Sequence, residues 1–150
     1  MPPESSAVAV AFVAVIAIGV WWTSNTIAHI FIHRPFFKTR AGNRTFSMCL
    51  SVLLGIPQAL WRDRHLAHHR GQAWRWRGSP QLIMEIALVV GGWVLMAFAN
   101  PLFFAATYLP GYSLGLGLCA LQGHYEHAAG VTSYYGRVYN FLCFNDGFHV

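Results

Sequence analysis

The sequence has few charged residues. They make up 10% of its 150 residues, against roughly a quarter in an ordinary soluble domain. Hydrophobic side chains make up 55%. This composition excludes a disordered chain, a coiled coil and a soluble globule with a charged surface. The net charge of +5 is compatible with an anionic partner, but composition alone does not identify it.

Cysteine is also scarce. The three cysteines, Cys49, Cys119 and Cys143, form no Cys-x-x-Cys pair. They therefore indicate neither a disulfide framework nor a zinc site built from thiolates.

The N-terminal region lacks charge over a long distance. No formally charged residue occurs in the 29 positions between Glu4 and Arg34. A helix of that length extends about 44 Å, which exceeds the ~30 Å hydrocarbon core of a bilayer. Because a basic N-terminal region is missing, we predict a true span over about residues 7–28 rather than a cleaved signal peptide.

A second uncharged segment covers the 40 positions between Glu85 and Glu126. Asn100-Pro101 favours a turn within it. The two halves, residues 82–99 and 102–121, approach the length of a membrane span and together predict a helical hairpin. A hairpin in a soluble core is the alternative.

Two glycines in the second half of this segment predict close helix packing. Gly111 and Gly115 are four residues apart, and small residues at that spacing let two membrane helices approach each other closely.

The basic residues predict the orientation in the membrane. Nine of the ten Lys and Arg fall between Arg34 and Arg77, and the tenth is Arg137. Basic loops stay in the cytoplasm, so both regions are expected there, with the N-terminus and the hairpin turn outside. The apolar stretch Thr45–Trp61 is flanked by basic residues at both ends and must return to its own side. We therefore predict an all-α, multi-pass transmembrane protein, one domain over residues 1–150, with about three spanning helices and an interfacial helical segment.

Histidine is confined to the same predicted cytoplasmic layer. The eight histidines are His29, His33, His65, His68, His69, His124, His127 and His149. Their spacings are mostly i, i+3 and i, i+4, which places two imidazoles on one helix face about 6 Å apart at Cβ. Neutral imidazole binds iron, zinc, copper or nickel, so one helix can supply two ligands to a metal. The alternatives are polar residues at helix ends and a cationic lipid-binding segment over Arg62–Arg70.

The number of histidines indicates which metal the site binds and how many ions it holds. Seven or more imidazoles exceed the four ligands of a tetrahedral zinc and suit two ions. A histidine-rich iron site leaves positions open for O₂, whereas haem needs only one or two axial histidines. Two irons in a membrane protein indicate oxidation of a lipid C–H bond.

These segments resemble the integral-membrane fatty acid desaturases and the related hydroxylases and ketolases. The matching segments are His29-Ile-Phe-Ile-His33, Trp61-Arg-Asp-Arg-His65-Leu-Ala-His68-His69, Gly123-His-Tyr-Glu-His127 and Asn145-Asp-Gly-Phe-His149-Val150. The resemblance implies a non-haem di-iron centre, O₂ as oxidant, a lipid or fatty acyl substrate and no nucleic acid. It also implies an external electron donor of the ferredoxin, rubredoxin or cytochrome b5 type.

The resemblance also assigns the ligands. On family positions lie His29, His33, His65, His68, His69, His127 and His149. His124 is either a further ligand or lies just outside the ligand set. Asp63, Glu126 and Asn145 are candidates for orienting an imidazole N–H, although the two acids are equally suited to salt bridges with nearby arginines.

The sequence departs from the family at its end. The last histidine box of the family reads like His-x-x-His-His, and this sequence stops directly after His149-Val150. We therefore expect a chain truncated within that box, one that by itself holds fewer than two irons and does not turn over.

The predicted function is fatty acid desaturation. A lipid hydroxylase or a carotenoid ketolase of the same family is the alternative, because the outcome depends on pocket shape. A metal-binding or haem-binding membrane module without enzyme activity is the second alternative. The arginines around the second histidine box are expected to bind an acidic electron carrier, a substrate phosphate or anionic lipid; they are Arg62, Arg64, Arg70, Arg75 and Arg77.

Overall fold

Every regular element in the described part of the chain is helical. The computed structural model describes residues 3–76, 78–127, 138, 141 and 142, and for residues 3–5 and 125–127 it describes the backbone alone. The α-helices are α1 (Pro3–Thr23), α2 (His29–His33), α3 (Arg40–Leu54), α4 (Gln58–His69), α5 (Pro80–Ala99), α6 (Pro101–Phe103) and α7 (Leu109–His127). Two π-helical turns, Ser24–Ala28 and Phe104–Tyr108, connect α1 to α2 and α6 to α7. The all-α prediction is confirmed.

Three helical segments are long and apolar enough to cross a membrane. They are Ser6–His33, Pro80–Ala99 and Pro101–His124. The three predicted spans fall inside them, and each observed segment is longer at one or both ends. Large apolar side chains stay exposed along these helices, with Phe98 exposed to 83%, which is expected where lipid replaces water as the solvent.

The apolar stretch 45–61 is divided between two helices and is not among these three segments. Thr39 begins α3, since its Oγ1 accepts a hydrogen bond from Gly42 N at 3.1 Å. Gly55 ends α3 in the left-handed conformation at φ 63°, which glycine adopts without steric cost. Pro57 then directly precedes α4, and a proline there removes no helical hydrogen bond.

Contacts group the described residues into two compact units, one from residues 1–30 and 100–150 and the other from 31–99. In the first unit α1 packs against α7. A Cβ added at Gly111 would lie 2.8 Å from Ile16 Cβ, and one added at Gly115 would lie 2.8 Å from Val20 Cβ. The predicted close approach at these glycines is confirmed, and α1 is the partner helix. The prediction of one domain over the whole chain stays a prediction.

In the second unit α3, α4 and α5 pack together around a buried carboxylate. Glu85 on α5 is 0% exposed. Its Oε1 accepts hydrogen bonds from Ser47 Oγ on α3 at 2.7 Å and from Gln81 Nε2 at 2.9 Å. Its Oε2 accepts one from the Ala59 backbone N–H in the first turn of α4 at 2.6 Å. One side chain therefore joins all three helices, and its negative charge lies at the N-terminus of α4, where the helix dipole favours it.

Candidate metal centre

Three histidine rings converge within the second unit. The Nε2 atom of His65 lies 3.0 Å from Nε2 of His33 and 2.9 Å from Nε2 of His69. One ring nitrogen from each residue lies within 4.8 Å of the others. His33 ends α2, whereas His65 and His69 are one turn apart on α4. The i, i+4 spacing thus delivers two rings to one side of α4, as the sequence predicts.

The end of α4 is fixed directly after the histidines. Gly71 adopts φ 62° and donates its N–H to His68 O at 2.9 Å, and Gln72 N donates to Ala67 O at 3.0 Å. These two bonds form a Schellman cap, which satisfies carbonyls that the helix leaves unpaired. Arg70 Nε donates to Leu66 O at 2.9 Å and adds a third bond. The last turn, which carries His68 and His69, is therefore held against fraying.

His29 precedes His33 by one turn in the same unbroken helix. It is buried, with 4% of its surface exposed, and it offers a ring nitrogen within 4.8 Å of one from His33. Both rings therefore face one side of this helix.

The π-helical turn before His29 sets the face on which these rings lie. A π turn adds one residue to the helical path, and each residue of an α-helix advances the direction by about 100°. Asn25 Nδ2 donates to Trp21 O at 2.8 Å, and Thr26 Oγ1 donates to Trp22 O at 2.6 Å. These side chains donate hydrogen bonds to backbone carbonyls in the turn where the helix changes from α-helical to π-helical hydrogen bonding. The signal in the sequence is a short polar group after an apolar run, which predicts a helix end equally well.

The chemistry of the three converging rings fits a metal ion. A neutral imidazole nitrogen has either one N–H or one lone pair, so His65 Nε2 makes at most one full hydrogen bond with its two neighbours. A cation that accepts the lone pairs of all three nitrogens removes this conflict. Two imidazole nitrogens each about 2.1 Å from one ion and at a right angle lie about 3.0 Å apart. The observed separations of 3.0 and 2.9 Å match that value.

His68 lies beside this cluster and is exposed. Its ring centroid is 6.0 Å from that of His69. It lines a recess of about 450 Å³ together with Ile56, Trp61 and His65. His68 is therefore near the converging rings, but the group of close ring nitrogens in the described part of the chain does not contain it.

The other predicted site residues lie elsewhere or outside the described residues. His124 is exposed in the last turns of α7, in the first unit. His127 ends α7, and its side chain, like that of Glu126, is outside the described residues. Asn145 and His149 also lie outside them.

Asp63 is placed against an arginine. Arg62 donates from Nε and from its terminal nitrogen to Asp63 Oδ1 at 3.1 and 3.0 Å. Both side chains are more than two-fifths exposed. The structure therefore places the Asp63 carboxylate in the salt bridge that the sequence left as an alternative.

Glu85 is the residue that sequence reasoning missed. A lone acid in an apolar predicted span is expected to carry a function or to pair with polar groups, and that was the available signal. The sequence does not show its partners, because Ser47, Ala59 and Gln81 lie on three different helices.

Together these features define a helical membrane protein with a candidate metal centre of histidines. The fatty acid desaturase family model matches residues 5–73, a range that contains most of α1, all of α2 to α4 and the three converging rings. Over these residues the chain is similar to the fatty acid desaturase family, in agreement with the resemblance noted in the sequence. Comparison with curated proteins and with solved structures found no match.

Proposed function

We propose that the protein is a membrane-bound, O₂-dependent oxidoreductase that introduces a carbon–carbon double bond into a fatty acyl chain. The convergence of three imidazole Nε2 atoms inside the segment that matches the desaturase family carries this proposal. The site takes iron and lies on the cytoplasmic side of the membrane, where the basic residues of the loops are expected.

The converging rings hold the first iron ion. His33, His65 and His69 supply its ligands, and His29 supplies another from the same helix as His33. The remaining predicted ligands, His68, His124, His127 and His149, stay candidates for a second ion. With O₂ and two electrons from a donor, a histidine-ligated di-iron centre supplies the oxidising power to remove hydrogen from an unactivated methylene.

The chain's own residues orient the rings and position the acyl chain. Glu85 anchors the first turn of α4 and the Schellman cap anchors its last turn, so the direction of His65 and His69 is held from both ends. The recess lined by Ile56, Leu60 and Trp61 has His65 in its wall and offers an apolar surface where an acyl chain lies against a ring.

An external electron-transfer protein completes the reaction. Its docking surface is formed by exposed arginines of α4 and the following loop, which attract an acidic carrier of the ferredoxin, rubredoxin or cytochrome b5 type. These residues are Arg64, Arg70 and Arg75.

Iron binding tests the centre without any need for turnover. The chain purified in detergent is expected to bind Fe²⁺, and His65→Ala is expected to lower that affinity by at least about 100-fold, because it removes the ring that contacts both others. Arg75→Ala is the control, since Arg75 is exposed and lies outside the cluster. Iron content by mass spectrometry and titration with Fe²⁺ measure the effect. Equal iron affinity in His65→Ala and the unaltered chain would contradict the proposal.

Product analysis tests the reaction. Because the 150-residue chain by itself is expected not to turn over, the full-length gene is expressed, and lipids from those cells are expected to contain a species two hydrogens lighter than its precursor, as detected by mass spectrometry. A gain of one oxygen would instead assign the chain to the hydroxylases or ketolases of the family. An intense Soret band in the purified protein would assign it to the haem-binding modules and overturn the proposal.

A further inference from the structure

A second cavity in the unit 31–99 is lined by cationic and amide side chains. Its volume is about 380 Å³, at the small end of the ~300–1,000 Å³ range of small-molecule pockets. Arg40, Arg44 and Arg62 line it, together with Asn43, Gln58 and Gln81. The histidine cluster is outside its walls, so it is a separate candidate site.

The charge of this cavity favours an anion. Arg40 and Arg44 are one turn apart on α3 and so lie on one face. In residues 3–76 and 78–124, no carboxylate forms an ion pair with either of them. Arg62 on α4 forms an ion pair with the partly exposed Asp63 at 3.0 Å. Arginine binds phosphate with two parallel N–H donors, which makes phosphate the expected anion.

The buried carboxylate beneath the cavity does not neutralise it. Ser47 and Gln81 line the cavity and both donate to Glu85 Oε1, while Ala59 N donates to Oε2. Glu85 is 0% exposed, so its charge is committed to three internal donors. Three guanidinium groups against this carboxylate and Asp63 leave the cavity cationic.

The buried amide of Gln58 places a second requirement on the ligand, which is a hydrogen-bond donor. It is 2% exposed, and its Nε2 donates to Ile56 O at 3.1 Å. Its Oε1 is buried and has no hydrogen-bond partner. A flip of the amide would set Oε1 against a carbonyl oxygen, so the orientation is fixed and Oε1 requires a donor. A buried acceptor without a partner costs about 1–3 kcal/mol, and that cost is removed by a ligand that brings a donor.

Among the groups of a ligand, a hydroxyl suits this acceptor best. A phosphate in its ionised form has no proton to donate to Gln58 Oε1. An ammonium group can donate, but three guanidinium groups repel it. A hydroxyl donates without adding positive charge. A ligand that combines a phosphate with a neighbouring hydroxyl matches both the arginines and Gln58.

We propose that this cavity binds the headgroup of an anionic phospholipid in which the phosphodiester carries a hydroxylated alcohol, as in phosphatidylglycerol. The arginines hold the phosphodiester, and the headgroup hydroxyl donates to Gln58 Oε1. The position among helices of a membrane protein favours a lipid over a soluble phosphate ester as the source of this chemistry.

The location of the cavity connects it to the proposed reaction. Phe31 and Ile32 line it and directly precede His33, and Arg62 lies one turn before His65 on α4. The headgroup site and the ring cluster therefore share two helices. If the proposed function holds, the acyl substrate is carried on such a phospholipid, and this step alone rests on the proposed function.

The test compares two lipids of equal charge. Phosphatidylglycerol and phosphatidylmethanol both carry one negative phosphodiester, but the second has no hydroxyl. Binding to the purified full chain in detergent is measured by native mass spectrometry, with phosphatidylcholine as the zwitterionic reference. Phosphatidylglycerol is expected to bind about fivefold more tightly than phosphatidylmethanol, which corresponds to one neutral hydrogen bond. Equal affinity for these two lipids in the unaltered protein would overturn the proposal.

Two variants separate the two contacts. Arg44→Gln is expected to weaken binding of both anionic lipids about tenfold, whereas Lys38→Gln, which removes one positive charge from an exposed residue outside the cavity, is expected to change it less than twofold. Gln58→Leu is expected to abolish the preference for phosphatidylglycerol over phosphatidylmethanol and to leave the arginine contacts intact. An equal loss in Arg44→Gln and Lys38→Gln would reduce the effect to overall charge and contradict the proposal.

Soluble ligands and iron complete the test. Glycerol 3-phosphate that binds as tightly as the lipid would assign the cavity to soluble phosphate esters and overturn the lipid assignment. Fe²⁺ binding is measured on the same samples. Loss of the predicted iron site with an intact lipid preference would count against the proposed function alone, and the reverse result would count against the headgroup site alone.

Discussion

The two compact units hold their helices together by different means. Where α1 meets α7, the contact is close, with Gly111 and Gly115 lying against Ile16 and Val20. Where α3, α4 and α5 meet, the Glu85 carboxylate accepts one hydrogen bond from a residue of each helix. At these glycines the first interface depends on shape, with one hydrogen bond from Trp21 Nε1 to Gln122 Oε1 at 2.9 Å near its other end, and the second interface depends on one charged group.

This difference follows from what each unit must do. Two apolar helices in lipid gain little from the hydrophobic effect against each other, so small residues and van der Waals contact stabilise the pair. The short helices α3 and α4 instead carry the cluster and the cavity, and their polar backbone ends must be satisfied. A buried carboxylate stabilises such helix ends only when all of its hydrogen-bond partners are present. Removal of the carboxylate is therefore expected to lower the free energy of unfolding sharply.

The largest effect is predicted for Glu85→Ala. Removal of the carboxylate leaves Ser47 Oγ, Gln81 Nε2 and Ala59 N without their acceptor and opens a cavity between helices. The free energy of unfolding is expected to fall by about 3–5 kcal/mol, measured by denaturation in detergent micelles. Iron affinity is expected to fall with it, because α4 loses the anchor of its first turn.

Glu85→Gln sharpens this prediction. The amide keeps the shape and one acceptor oxygen but presents an NH₂ group to a former donor, so a smaller loss of about 1–3 kcal/mol is expected. A loss below 1 kcal/mol in Glu85→Ala would show that packing, not the carboxylate, holds these helices together. The contrast between the two units would then disappear.

Much of the fold is readable from the sequence because charge and apolar length act locally. The gaps between Glu4 and Arg34 and between Glu85 and Glu126 predict the spans to within a few residues. The break at Gly55 is likewise local, since glycine supplies the left-handed cap. The three partners of Glu85 are not readable, because they depend on how separate helices pack.

The next largest effect is predicted at the glycine contacts. A Cβ at Gly111 would also lie 2.9 Å from Val13 O, a backbone atom that cannot move aside without shifting α1. Gly111→Ala is therefore expected to lower the free energy of unfolding by about 1–3 kcal/mol. Gly117→Ala is the matched control, because a Cβ there meets nothing within 4 Å. It is expected to be neutral or to stabilise by less than about 1 kcal/mol.

Equal effects in the two glycine variants would contradict the close contact between α1 and α7. The full contrast would instead show that the first unit responds to steric fit. Measured in the same micelles as Glu85→Ala, the two series compare a shape-dependent interface with a charge-dependent one on a single scale of unfolding free energy.

The candidate site is partly readable from the sequence for a related reason. The i, i+4 spacing of His65 and His69 fixes their common face before any tertiary contact is known. The direction of His29 and His33 depends on the π-helical turn before them, and no simple residue pattern predicts such a turn. The cavity with Gln58 was also missed, because it needs α3, α4 and α5 in place.

The smallest effect is predicted for the side-chain N-caps that begin one helix in each unit. Thr39 Oγ1 accepts from Gly42 N at 3.1 Å at the start of α3, and Asn100 Oδ1 accepts from Phe103 N at 3.0 Å at the start of α6. Both side chains are exposed. Thr39→Ala and Asn100→Ala are each expected to lower the free energy of unfolding by about 1 kcal/mol, and the double variant by about the sum. Similar values would show that the helix ends of the two units are equivalent and that the contrast arises between helices. A loss above about 2 kcal/mol for Thr39→Ala alone would show instead that the start of α3 is coupled to Ser47 and Glu85, which extends the charge-dependent region by two turns.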